Sequence, residues 1–121
     1  MAKPTAEQKR WMERIAQYAE EHGAFPKHQG NYDFQLHHVR GRTYKHNKVA
    51  IGHWLILPIE TKYHDVNSNN PWNVTHWPKR YAIEFGKQKD QFVAMCMVIK
   101  EEDNGLPFGD DVLNAIMDLS V

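Results

Sequence analysis

The stretch FQLHHVRGR, residues 34–42, sets two histidines side by side at the end of a short apolar run and follows them with two arginines. Residues 34–39 read as a short strand bounded by turn residues. A polar, basic segment (41–48) comes next, then a second apolar run (49–59), so the middle of the chain reads as two strands joined by a basic loop. On a regular strand neighbouring side chains point to opposite faces. His37 and His38 are therefore poorly placed to chelate one ion together, whereas one can hold a metal while the other works beside it.

Working outward, Thr5 followed by Gln8 has the form of a capping box. Trp11, Ile15, Tyr18, Ala19 and His22 then recur at helical spacing, and Gly23 makes a good stop. This predicts a helix over 6–22. Residues 25–33, with Pro26, Gly30, Asn31 and Asp33, read as loop. On the other side, 59–66 is expected to hold a short helical stretch and 67–72 a loop. Thr75 is placed to cap a helix running to Phe85, with Pro78 in its first turn and Gly86 ending it. Helices are also predicted over 88–100, with Phe92, Met95, Cys96 and Ile99 on one face, and over 110–119, with Val112, Leu113, Ile116 and Met117 apolar. The fold class is α+β.

The chain has 121 residues, 41% hydrophobic and 12% aromatic, with a formal net charge of zero. That suits one small packed domain and excludes global disorder. Neutrality overall leaves the distribution of charge to decide about nucleic acid. The single cysteine, Cys96, sits in an apolar run and reads as a core residue; it excludes an intrachain disulfide and a cysteine zinc knuckle. No apolar run approaches the ~18 residues of a membrane span, and the first ten residues lack a signal-peptide core. The expected setting is soluble and cytoplasmic.

Five of the eight histidines, His37, His38, His53, His64 and His76, fall on the strands of the hairpin or just after it. Imidazole is a common ligand for zinc-like cations and a natural base near neutral pH. A cation to neutralise the charge developing on phosphorus, with a base to take a proton from water, is what phosphodiester hydrolysis needs. Taken singly, each histidine is as readily a surface or core residue, and His22, His28 and His46 are left under that reading. The basic loop adds Arg40, Arg42, Lys45, His46 and Lys48 with Tyr44 interleaved and no acid among them, a patch suited to a phosphate backbone or to plain solvation. Lys79 and Arg80 add positive charge after His76; they serve equally well as helix-surface residues.

The ordered set "LHHV", "GHWLILP" and "YHDV" resembles the HNH, or ββα-metal, endonuclease motif, a hairpin and helix clasping one divalent cation. It is closer still to the phage recombination-enhancement, RecA-dependent nucleases, with "KPTAEQKRWMERIA" as the helical lead, then "HHVRGR", "LILPIETKYH" and "THWPKRYAIEFGKQ". The likeness covers about residues 3–92. It implies a ββα-metal core over 34–86, a helical extension over 87–121, and the following roles. His37, His64 and His76 match metal ligands, and His38 matches the general base. His53 stands in the middle slot, usually asparagine, that orients the base; as a histidine it can also serve as a ligand. Arg40 and Arg42 match phosphate contacts. Relatives carry two cysteine pairs around the hairpin; here the first is absent and Glu60 and Tyr63 stand at the second, so no structural zinc is expected.

The function so implied is a metal-dependent DNA endonuclease of phage or prophage origin, using one divalent ion (Zn²⁺, Mn²⁺, Ni²⁺, Co²⁺ or Mg²⁺, the last being the poorest match to imidazole), with DNA and a RecA-type recombinase filament as partners and no membrane. The alternatives are a non-catalytic nucleic-acid-binding module that keeps the same fold, and a protein-interaction module presenting Trp72 and Trp77.

Overall fold

The computed structural model describes residues 3–28 and 33–121; the turn signals at Gly30 and Asn31 lie outside them. The first helix, α1, runs Ala6–His22 and opens on a complete capping box. Thr5 Oγ1 accepts from the Gln8 N–H at 3.1 Å while the Thr5 N–H donates to Gln8 Oε1 at 2.9 Å. Losing such a cap typically costs about 1 kcal/mol. Trp11, Ile15, Tyr18 and Ala19 are buried, and Gly23, at φ 92°, ends the helix by donating to the Ala19 carbonyl.

Two longer strands follow, β1 (Phe34–His38) and, after a small hairpin of β2 (Lys45–His46) and β3 (Val49–Ala50), β4 (Ile56–Glu60). β1 and β4 pair antiparallel with His37 opposite Leu57 and His38 opposite Ile56; β2 and β3 pair separately. Every residue of β4 is buried, so it lacks the alternation of a half-exposed strand. Pro58 is tolerated there for a geometric reason. Its carbonyl accepts from the Phe25 N–H and the Glu60 N–H donates to Phe25, so Pro58 turns its missing donor to that edge and away from β1.

The apolar run 49–59 is not one strand. Asn47 and Lys48 both take positive φ (51° and 68°), as a tight two-residue hairpin turn requires. The chain then bends again at 51–55. Ile51 and Gly52 N–H groups both point at the Tyr44 carbonyl, and Trp54 and Leu55 donate back to Ile51. A Cβ on Gly52 would lie 2.2 Å from the Arg42 carbonyl oxygen, so only glycine allows this closure. His53 sits at the apex of that bend.

The helices α2 (Thr61–His64), α3 (Pro78–Phe85), α4 (Gln88–Asp103) and α5 (Asp110–Met117) complete an α+β architecture of five helices and two two-stranded sheets among the described residues. Thr75 does not cap α3. Buried Asn73 takes the Thr75 and His76 N–H groups on its own side-chain oxygen, which makes a turn first and defers the helix to Pro78. α4 buries Phe92, Met95, Cys96 and Ile99 as expected and runs three residues further, to a left-handed Asn104. On α5, Val112, Ala115 and Ile116 are buried while Met117 is exposed. The buried apolar residues of α1, β4, α3, α4 and α5 form one cluster, with Trp11 Nε1 donating to the Trp54 carbonyl at 2.9 Å. Among the described residues no helix is long and apolar enough to cross a membrane.

Candidate functional site

The antiparallel register delivers His37 from β1 and His64 from the end of α2 to one place, with ring centroids 4.9 Å apart. His37 is buried and its Nε2 donates to Gln88 Oε1 at 2.9 Å, Gln88 being the buried first residue of α4. His64 Nδ1 donates to Gln35 Oε1, two positions before His37 on β1. The donors go to neutral amides, so each ring keeps one nitrogen with its lone pair: Nδ1 on His37 and Nε2 on His64. Neither has another partner among the described residues.

His38, half-buried, turns to the other side and meets buried His53, with Nε2 to Nδ1 at 3.3 Å and the rings nearly perpendicular at 81°. The strand alternation thus splits the doublet as its spacing suggests. The electrostatics follow chiefly from burial, with no carboxylate hydrogen-bonded to His37, His38 or His64. Burial, then the nearby His64, brings His37 down to about 4, against the Gln88 hydrogen bond. Burial, then His53 and Arg42, brings His38 down to about 4 as well. Burial lowers His64 too, opposed by Asp65. All three are neutral near pH 7, the state in which imidazole ligates a metal or accepts a proton.

His76 does not join them. It is exposed, precedes α3, and its Nε2 donates to the Val66 carbonyl at 3.0 Å. Among the described residues, the only His, Cys, Asp or Glu group of three or more whose donor atoms all lie within 4.8 Å of one another, and so can hold a metal ion, is Glu21, His22 and Glu102. That group lies at the far end of α1. His22 Nε2 reaches Glu102 at 3.0 Å, and Arg14 pairs with Glu102 and Asp103 at 2.7 Å each. Nothing local in the sequence announced it, because Glu102 is 80 residues from His22.

A cleft of about 490 Å³ is lined by His37, His38, Arg40, Thr75, Lys79 and Gln88. Arg40 also lies over the Tyr44 ring at 5.7 Å. Arg42 and Lys45 line a different cavity, of about 360 Å³, beside His53. Lys48 stands exposed at the hairpin turn, and Arg80 stacks on Trp77 at 4.6 Å, so neither lines either space. Glu60 is buried and takes the Lys27 N–H at 3.0 Å, and Tyr63 meets Phe85 edge-on at 5.2 Å. Beside them Tyr18, Phe25 and His28 stack in series, with the Tyr18 hydroxyl 2.7 Å from His28 Nε2.

The chain matches no family model, no curated protein and no solved structure. The chemistry of the site must therefore be read from its own residues.

Proposed function

We propose that this protein is a metal-dependent DNA endonuclease of the HNH kind, hydrolysing phosphodiester bonds. The observation that carries the reading is the sorting of four histidines into two pairs, His37 with His64 and His38 with His53, across one antiparallel ladder followed by a short helix. The first pair fits a divalent cation by its donors: two neutral imidazoles, each with one nitrogen tied to an amide and one lone pair left, as second-layer hydrogen bonds usually arrange for ligating histidines. His37 and His64 are the residues to hold it. When bound, the ion supplies charge neutralisation at phosphorus and at the leaving oxygen.

The rest of the work belongs to the chain. In the tautomer in which His38 Nε2–H donates to His53 Nδ1, His38 Nδ1 is left to take the proton from the attacking water. A base held near 4 is weak when the site is empty of substrate. An incoming phosphate favours the imidazolium form and restores its basicity. Arg40 and Lys79, on the walls of the same cleft, hold the phosphate strand.

The test is plasmid cleavage with Mn²⁺, Ni²⁺, Zn²⁺ and Mg²⁺ supplied in turn. His38→Ala is expected to lower cleavage by a factor of 10² or more with metal affinity retained, and His64→Ala to lose both. Cleavage unchanged in His38→Ala overturns the assigned base.

One observation favours a second reading. With His76 turned to Val66 the pair lacks a third imidazole, as suits a nucleic-acid-binding module that keeps this architecture without cutting. Salt-dependent DNA binding with no metal-dependent nicking would select it. Partnership with a RecA-type recombinase filament in a phage setting belongs to the endonuclease proposal, and stimulation of nicking by such a filament tests it.

A further inference from the structure

We propose that the cavity beside His53, between the chain leading into α1 and the base of the β2–β3 hairpin, is a second phosphate subsite, taking a nucleotide of the strand that crosses the His38–His53 pair. The inference rests on the nucleic-acid reading above and names where a neighbouring phosphate goes.

Three cations, Lys3, Arg42 and Lys45, line this space of about 360 Å³, and among the described residues no acidic side chain does. None of the three side chains makes a hydrogen bond or ion pair among the described residues. Three exposed cations around one cavity, with no acid between them, make a local positive field that favours an anion there.

The cavity is also built on fixed backbone. Gly52 lies against the Gly41 and Arg42 carbonyls, where a Cβ would come within 2.5 Å of both, and the Tyr44 carbonyl receives two N–H groups from the bend. Arg42, Tyr44 and Lys45 therefore leave a locked loop. Lys3 approaches from just before the capping box of α1, across a sequence gap of about forty residues that no local motif spans.

His53 ties this space to the first cleft. It lines the cavity while its Nδ1 reaches His38, which lines the cleft with Arg40 and Lys79. A strand laid across that histidine pair has cations on both sides: Arg40 and Lys79 on one, Lys3, Arg42 and Lys45 on the other. Tyr44, half-buried in the cavity wall, carries Arg40 over its ring at 5.7 Å and so links this space to the first cleft.

The probe is deoxythymidine 3′,5′-bisphosphate, titrated in EDTA into the full chain and followed by amide NMR, with thymidine and a ten-residue oligo-dT strand alongside. The bisphosphate is expected to shift the amides of Thr43, Lys45 and Gly52. Thymidine, which lacks phosphate, is expected to leave them in place. Arg42→Ala with Lys45→Ala should weaken bisphosphate binding at least tenfold and weaken the oligonucleotide too, Lys3→Ala should weaken both by a smaller factor, and Lys100→Ala, exposed on α4 and lining neither space, should change bisphosphate binding less than twofold. All these positions are surface cations, so folded variants are expected, and their unchanged NMR dispersion checks it. Equal shifts with thymidine, shifts confined to Arg40 and Lys79, or double-variant binding within twofold of the original would each overturn the subsite. If the chain binds bisphosphate in this cavity but never nicks a plasmid, the subsite stands and the nuclease reading falls. If it nicks plasmid without binding there, the reverse holds.

Discussion

Two sets of histidines in this chain meet different company. His22 and His46 face carboxylates, Glu102 at 3.0 Å and Asp118 at 2.8 Å, and His76 faces a backbone carbonyl. His37 and His64 face amides and each other, and His38 faces His53, with no carboxylate bonded to His37, His38 or His64. The contrast teaches that the number of histidines says little; the partner decides. Burial holds the His37, His38 and His64 rings uncharged near pH 7, each with a lone pair to give.

The largest effect that can break this comparison is in metal affinity. If the neutral set is the ligand set, His64→Ala should weaken binding of Ni²⁺ or Zn²⁺ by isothermal titration about a hundredfold, in line with losing one of two protein ligands. His22→Ala should leave the main binding isotherm in place. A reversed result, with affinity lost in His22→Ala, would move the metal to the Glu21, His22 and Glu102 group at the far end of α1.

Acid stability gives a smaller, sharper effect. The folded-state value for His37 is about 4, below the roughly 6.5 of an unfolded chain, so the unfolded state binds more protons between them. Stability from the buried neutral ring is present above about pH 6.5 and is lost as the pH falls through about 4. Between pH 7 and pH 5 the loss from His37 is about 2 kcal/mol. Urea denaturation at the two pH values measures it, and His37→Gln, which cannot take up the proton, should flatten that part of the slope. An equally steep slope in His37→Gln would mean the ring is already charged in the folded protein.

How much of this was legible follows the range of the interactions. α1 could be read because its capping box, apolar spacing and terminal glycine all lie within nineteen residues, Thr5 to Gly23. The split of the doublet followed from strand alternation alone. The bend at 51–55 was not legible, because an apolar run reads the same whether it is a buried strand or a buried turn. The decisive fact there is Gly52 pressed on the Arg42 backbone. Thr75 looked like a cap, and a buried Asn73 took the role of organising that turn. Gln88 and Lys3 went unnoticed for a similar reason. Each matters through a contact or cavity wall shared with residues about forty to fifty positions away, and nothing in spacing marks a glutamine as the partner of a distant histidine.

His76 gives the smallest expected effect and the finest cut between the two sets. The family likeness puts it with His37 and His64; the structure turns its Nε2 to the Val66 carbonyl and leaves it exposed. An exposed side chain making one hydrogen bond to a loop carbonyl contributes about 1 kcal/mol at most. His76→Ala should therefore lower the melting temperature by only a few degrees and change metal affinity less than threefold. His37 and His64 would then be the whole protein contribution to the ion, with open positions left for water and phosphate oxygens. A tenfold or larger loss of affinity in His76→Ala would show instead that the ring leaves Val66 to complete the site when metal arrives. The Val66 carbonyl contact would then be a resting position of a third ligand, and His76 would belong with the buried histidines despite its exposure.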